Sequence, residues 1–189
     1  MSMRKTQILI MASLLLAGIA LGIVISIIIP LPFREGSTQD QYYSLYQDLS
    51  RGLRSYAYLN ILYNMKDLVI YTANARIMIM IANITNSTDI LALSKTSLET
   101  AINTTNRINQ DIAIIKALNI SPTERNALDQ VGAEISRVRS SLQNLLNMVT
   151  NSIQSKSIDP DLLNASSSVY NDVTQSVDRA SNIIQIILS

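Results

Sequence analysis

Tyrosine is the chemically most distinctive side chain of this sequence, because seven of its eight copies lie between residues 42 and 71. Clustered aromatic rings can line a pocket for an aromatic or cationic ligand, or they can pack against a protein partner. Tyr42 with Tyr46, and Tyr56 with Tyr63, have spacings that place two rings on one side of a helix. Packing against neighbouring helices or a partner protein is therefore the simpler interpretation, with an aromatic pocket as the alternative.

Five asparagines stand in Asn-x-Ser/Thr triplets, the acceptor sequence for N-linked glycans. They are Asn83, Asn86, Asn103, Asn119 and Asn164. Random placement of the chain's Asn, Ser and Thr would give about three such triplets, so the excess is modest. Asn83, Asn86 and Asn119 fall at predicted turns, where a glycan would be accessible. We therefore expect at least one of the five to be glycosylated.

Residues that support catalysis or bind metal ions are scarce. The chain has no His and no Cys, which removes the usual ligands of zinc, haem and iron–sulfur clusters and the usual base for a nucleophilic serine. Acidic residues are scattered singly, and Glu124 and Glu134 are interpreted as a helix cap and a solvated helix face. No glycine-rich phosphate loop occurs. The sequence predicts no catalytic residue, no metal site, no cofactor and no enzyme activity.

An uncharged apolar stretch covers residues 8–29. As a helix it would be about 33 Å long, enough to cross the hydrocarbon core of a bilayer. Arg4 and Lys5 precede it, whereas Arg34 and Glu35 cancel after it, so the positive-inside rule predicts a cytoplasmic N-terminus. We expect a cytoplasmic segment 1–7, a transmembrane signal anchor 8–29, a linker 30–37 and an extracytoplasmic part 38–189 in a cell membrane.

Two other fates for the apolar stretch remain open at this point. A cleaved secretory signal normally has a shorter apolar region and a small-x-small cleavage site, which Pro30 and its neighbours do not provide. A prepilin-type signal would be cut near Thr6 and Gln7, although a Gly or Ala before the cut is missing. Within the stretch, Gly18, Gly22 and Ser26 form a small-residue stripe of the kind that packs transmembrane helices closely.

The remainder of the chain has the pattern of an all-α domain. Ser121, Pro122 and Glu124 have the spacing of a capping box, and Asp159 and Asp161 supply a second helix start. We predict helices at 38–83, 88–118, 122–156 and 160–187. In the third, the apolar residues alternate steps of three and four, as in a coiled-coil seam: Leu128, Val131, Ile135, Val138, Leu142, Leu145 and Val149.

Short links between these helices predict an antiparallel four-helix bundle. The first helix would be longer than its partners, so we expect it either to be interrupted, near Gly52 or Asn74, or to stand partly alone near the membrane. Acidic and basic residues are spread without a run of either sign, and the net charge is +1. Nucleic-acid binding, which requires a basic stripe, is therefore not expected.

The layout of one membrane helix followed by long helices resembles the four-helix sensor domains of bacterial chemoreceptors and sensor kinases. The resemblance covers residues 8–188 in layout only, and no residue motif carries over a ligand site. The composition, rich in Ile, Asn, Ser and Thr and poor in charge, is similar to that of cell-surface proteins of thermoacidophilic archaea. Seven residues before the membrane helix leave no room for a cytoplasmic output domain, so this layout does not by itself predict signalling.

We expect a non-catalytic, single-pass membrane protein that acts as an accessory or scaffold subunit of a membrane or cell-surface complex. Its expected partners are the lipid bilayer and other membrane proteins or further copies of itself. Two alternatives differ in class. One is a ligand-sensing ectodomain that signals through a membrane partner, and the other is a pilin-like filament subunit formed after N-terminal processing.

Overall fold

Four helices make up the part of the chain that the computed structural model describes, residues 38–188. They are α1 (Thr38–Thr85), α2 (Thr88–Ala117), α3 (Pro122–Ser155) and α4 (Leu162–Leu188). The all-α class is confirmed for these residues, among which there is no strand. The predicted transmembrane helix 8–29, with Gly18, Gly22 and Ser26, lies outside them. Residues 48–188 belong to one compact unit, named the helical unit below, and residues 38–47 belong to a second.

The apolar seam predicted for α3 forms its buried face. All seven predicted residues, from Leu128 to Val149, are at most 2% exposed. Apolar residues of α2, among them Leu98 and Ile108, are buried as well. Alternating steps of three and four keep these side chains on one stripe of a helix, so burying them against neighbouring helices removes apolar surface from water.

The first helix has no break. Gly52 and Asn74, where we expected an interruption, both lie inside the continuous helix α1, and that expectation is wrong. A single helical glycine costs only about 1 kcal/mol relative to alanine. Residues before and after Asn74 along the chain, including Thr72 and Ala75, are buried in one stripe of α1 that packs against the core. Tertiary packing therefore outweighs the weak local helix propensity.

The connections between helices agree with the predicted caps in part. The Ser121 side chain accepts a hydrogen bond from the Glu124 backbone N–H at 3.1 Å, and Pro122 is the first residue of α3. The last helix begins at Leu162 rather than at Pro160, because Asp159 caps a turn instead: its Oδ1 accepts from the Asp161 N–H at 2.9 Å. Asn86, between α1 and α2, takes the left-handed conformation with φ of 51°.

Contacts between helices of the helical unit pair residues in opposite order. Side chains at positions 141, 137 and 134 of α3 contact those at 172, 176 and 179 of α4, respectively. Similarly, Met65 and Arg76 of α1 contact Ser181 and Tyr170 of α4. In both pairs the residue numbers fall along one helix as they rise along the other.

Small hydroxyl side chains take up several core positions. Thr72, Ser94 and Thr105 are at most 1% exposed, and each donates a hydrogen bond to a carbonyl three or four residues earlier in its own helix. Ser166 does the same towards Leu163. These polar groups are buried without a loss of hydrogen bonding, which would otherwise cost about 1–3 kcal/mol each. The core can therefore mix apolar and hydroxyl side chains.

One helix among the described residues, spanning Tyr42–Thr85, is long and apolar enough to cross a membrane by length and composition. A core helix of a soluble domain meets the same criterion, and Ile61, Leu68 and Ile79 of this helix are fully buried. The finding is thus weakly compatible with a membrane location.

Candidate contact surface and ion-pair clusters

Helix α1 of the helical unit carries apolar side chains on two sides. Its core stripe includes Tyr58, Ile61, Met65 and Leu68, which are at most 1% exposed. Two residues along a helix correspond to about 200° of rotation, so the residues two positions before Tyr58 and Met65 point away from the core. The large apolar residues on this other side, named the outer face, are Leu49, Leu53, Tyr56, Leu59, Tyr63, Ile70, Ile77, Met80 and Ile84.

The outer face contains two of the four tyrosines singled out in the sequence. Tyr56 and Tyr63 are 63% and 68% exposed, so neither packs into the core. Tyr42 and Tyr46, in the other compact unit, are exposed to a similar extent. Tyr58, by contrast, is buried. Helical spacing alone does not distinguish exposed tyrosines from buried ones. It shows that two rings share one side of a helix, but not whether that side faces the core or the solvent.

A polar cluster joins α1 to the start of α3. The Tyr58 hydroxyl donates a 2.7 Å hydrogen bond to one oxygen of Glu124, and Arg54 Nη1 lies 3.3 Å from the other oxygen. Only 11% of the Glu124 side chain is exposed. We expected this carboxylate to act as a helix cap. In the structure the cap is Ser121, and the Glu124 carboxylate ties α3 to α1.

A second cluster joins α3 to α4. Glu134 receives two parallel hydrogen bonds from Arg179, at 3.0 and 3.1 Å, and its second oxygen lies 3.2 Å from Arg137 Nη2. Arg137 also lies 3.0 Å from the Asp172 carboxylate. Glu134 keeps 23% of its side chain exposed, and on this helix face it is paired with two arginines, which the sequence did not predict. A carboxylate held by two guanidinium groups works as a structural tie rather than as a free acid or base.

The Glu134 cluster should make folding sensitive to acid. Hydrogen bonding by Arg179, aided by the charge of Arg137, lowers the pKa of Glu134 below its ordinary value of 4.5. The stabilisation is therefore complete above that value and is lost as the pH falls through the folded-state pKa. We expect the free energy of unfolding, measured with urea from pH 6 downward, to fall less for the Glu134→Gln variant than for the wild type. The difference should develop over roughly two pH units below 5.

Asp111 should affect the stability in acid in the opposite direction to Glu134, so it serves as a comparison in the same measurement. Burial raises the pKa of Asp111 above its ordinary value of 3.8, and the hydrogen bonds from Asn64 and Asn60 oppose the shift only in part. Protonation of Asp111 in acid therefore favours the folded state. An Asp111→Asn variant should show a steeper loss of stability in acid than the wild type. Equal acid profiles for the wild type and Glu134→Gln would contradict the assigned role of Glu134.

All five asparagines of the predicted glycosylation triplets are exposed. Asn83 and Asn86 lie at the end of α1 and in the following turn, and Asn119 lies in the link between α2 and α3. Asn103 and Asn164 lie within helices. The hydroxyl residues of the last two triplets, Thr105 and Ser166, are fully buried. The acceptor side chains face solvent, where a glycan could be attached. Glycosylation at these positions stays a prediction.

A groove of about 290 Å³ adjoins the outer face. Ala73, Ile77 and Met80 of α1 line one side, and the Arg76 guanidinium lies over the Tyr170 ring at 5.3 Å from its centre. The cation–π contact joins α1 to α4 and covers part of the ring. The groove therefore lies beside Ile77 and Met80 of the outer face.

Within residues 38–188, no group of three or more acidic side chains is placed to hold a metal ion. Comparison of the chain with protein-family models, with curated proteins and with solved structures finds no match. The site must therefore be argued from the residues themselves. Sequence reasoning identified Tyr56 and Tyr63 and missed the rest of the outer face, whose signal is the recurrence of apolar residues at intervals of seven.

Proposed function

We propose that this protein is a non-catalytic, single-pass membrane protein that serves as an accessory or scaffold subunit through direct protein contact. The single observation that carries the proposal is the outer face of α1. It exposes large apolar side chains along about 53 Å of helix, from Leu49 to Ile84. An apolar surface of this length, with Lys66 as the one charged residue along its seam, is typical of an interaction site on a folded domain.

The sequence and the order of helix contacts support the proposed setting. An anchor at residues 8–29 would hold the chain in a cell membrane with residues 38–189 outside the cytoplasm. The four helices would form an antiparallel bundle, which is supported by the opposite order of contacts along α3 and α4 and along α1 and α4. Exposed asparagines in glycosylation triplets are compatible with an extracytoplasmic location.

Purification from the native membrane in mild detergent tests the proposal. We expect mass spectrometry to identify a fixed, stoichiometric set of partners with the full-length protein. A variant with Tyr63→Lys and Ile77→Lys should lose them, because lysine makes the outer face polar. A matched control with Leu93→Lys and Ile114→Lys changes exposed apolar residues of α2 instead and should keep the partners. Recovery of the wild type as a monomer without partners would contradict the proposal.

A further inference from the structure

The outer face of α1 follows a strict seven-residue repeat. Counting from Leu49, every seventh residue is apolar and 44–76% exposed. These residues are Leu49, Tyr56, Tyr63, Ile70, Ile77 and Ile84. Three residues after each of the first five come Gly52, Leu59, Lys66, Ala73 and Met80, of which only Lys66 is charged. Steps of three and four in this order define a coiled-coil seam, named the outer seam below.

The repeat indicates a helical partner. On a straight helix a seven-residue repeat drifts by about 20° per heptad, so over these five heptads it moves roughly 100° around the axis. Only another helix wound around α1 stays in contact with all its members. The core stripe, from Tyr58 to Ala82, already uses the steps of three and four on the inner side of α1. The outer seam is a second such stripe, and within residues 38–188 its large apolar members stay 44–76% exposed, although Tyr170 of α4 lies beside Ala73, Ile77 and Met80.

The exposed area is sufficient for a stable dimer. Large side chains carry about 150–250 Å² each when aromatic and somewhat less when aliphatic. With 44–76% exposure, the eight large apolar members of the outer seam present roughly 800 Å². A standard specific interface buries about 800 Å² on each partner. Two copies of α1 joined along the outer seam would reach this size without any further contact.

Charge complementarity indicates that the partner is a second copy of this chain, with its α1 parallel to the first. Lys66 is the one charged member of the outer seam, and Asp67 follows it at the flanking position. Neither residue has an ion-pair partner within 4 Å among the described residues. In a parallel pair Lys66 lies opposite Lys66 of the other copy, and Asp67 of that copy flanks it, so the two carboxylates offset the two facing ammonium groups. The twofold axis repeats the contact between Lys66 and Asp67 on both sides.

We infer that the chain forms a parallel homodimer through the outer seam of α1, with Lys66 of each copy paired to Asp67 of the other. The inference rests on the proposed function and names the partner of its contact surface. Parallel alignment also fits two copies anchored through residues 8–29 of the same membrane, because both helices then point the same way. Tyr56, Tyr63 and Ile70 each meet their own counterpart across the seam.

Single cysteines test the arrangement cleanly, because the chain has no Cys of its own. Full-length variants with Leu49→Cys, Tyr63→Cys or Ile77→Cys are oxidised in native membranes and separated without reductant. Identical positions face each other in a parallel pair, so all three should form disulfide-linked dimers. We expect a yield on the order of tenfold above that of Ser140→Cys, an exposed position on α3.

The ion pair is tested by charge reversal in the Tyr63→Cys background. Adding Lys66→Asp places like charges across the seam and should reduce the cross-linked fraction several-fold, by roughly three to ten times. Adding Asp67→Lys to that variant restores opposite charges and should restore the fraction. If Lys66→Asp acted only by disturbing the structure of α1, adding Asp67→Lys would not restore the cross-linked fraction.

Other results would overturn the inference. Cross-linking only near the middle of the seam would indicate an antiparallel pair, and cross-linking at the level of Ser140→Cys would exclude the dimer. If partners co-purify with a chain that does not cross-link, the proposed function stands and the inference fails, because another protein covers the seam. If cross-linked dimers form but no other protein co-purifies, the inference stands and the scaffold function is contradicted.

Discussion

Replacing Leu142 with alanine is expected to lower the free energy of unfolding by about 2–5 kcal/mol. Leu142 lies in the middle of the α3 seam and is fully buried. Removing three carbon atoms there forfeits apolar burial and leaves a cavity that the surrounding helices fill only in part. The change should appear as a lower urea midpoint of the full-length protein with an unchanged slope of the transition.

Leu93→Ala is the matched control, because it removes the same atoms from a side chain on α2 that is 58% exposed. Surface changes of this kind normally stay within about 0.5 kcal/mol of the wild type. Equal effects of the two substitutions would show that the α3 seam is not packed as described. A changed slope in Leu142→Ala alone would indicate a loosened native state rather than a simple cavity.

The second large effect is expected at the contact between Tyr58 and Glu124. In a Glu124→Leu variant the Tyr58 hydroxyl, on a side chain only 1% exposed, loses the acceptor 2.7 Å away, and Arg54 loses its ion pair. An unsatisfied buried donor costs about 1–3 kcal/mol. We expect urea unfolding to show a loss of this size, and a smaller loss for Glu124→Gln, which keeps an acceptor oxygen.

A double variant separates the hydroxyl from the rest of the effect. Tyr58→Phe removes the donor that Glu124→Leu leaves unsatisfied, so the two changes together should cost less than the sum of the single ones. The coupling is measured from the four unfolding free energies of the cycle. Strict additivity would mean that the hydrogen bond contributes nothing and that Glu124 acts through Arg54 or through packing alone.

Much of the helical framework could be predicted because it depends on local rules. The α3 seam was predicted residue by residue, since α3 exposes no large apolar residue and has a single apolar stripe to bury. Ser121 was predicted as a cap because Ser followed by Pro suits the first turn of a helix. Helix bounds agreed to within two residues, and the main shift, at Asp159, came from a capped turn that delays α4.

The roles of Glu124 and Glu134 could not be predicted in the same way. Their partners Tyr58 and Arg179 are 66 and 45 residues away along the chain, and a shift of one residue in helix register would separate them. The continuity of α1 through Asn74 also depends on burial by other helices. The outer seam was within reach of the sequence, because its seven-residue repeat is visible there, but repeated apolar residues alone do not distinguish an inner side from an outer one.

The buried hydroxyls bear on how such a sequence can change over time. Ser94, Thr105 and Ser166 satisfy their hydrogen bonds within their own helices, so no residue on a neighbouring helix depends on them as a donor or acceptor. Exchange between serine and alanine at such a layer needs no matching substitution elsewhere. These three positions can therefore change one at a time while the helical framework is kept, unlike buried Ser176, which accepts a hydrogen bond from Arg137 of the neighbouring helix.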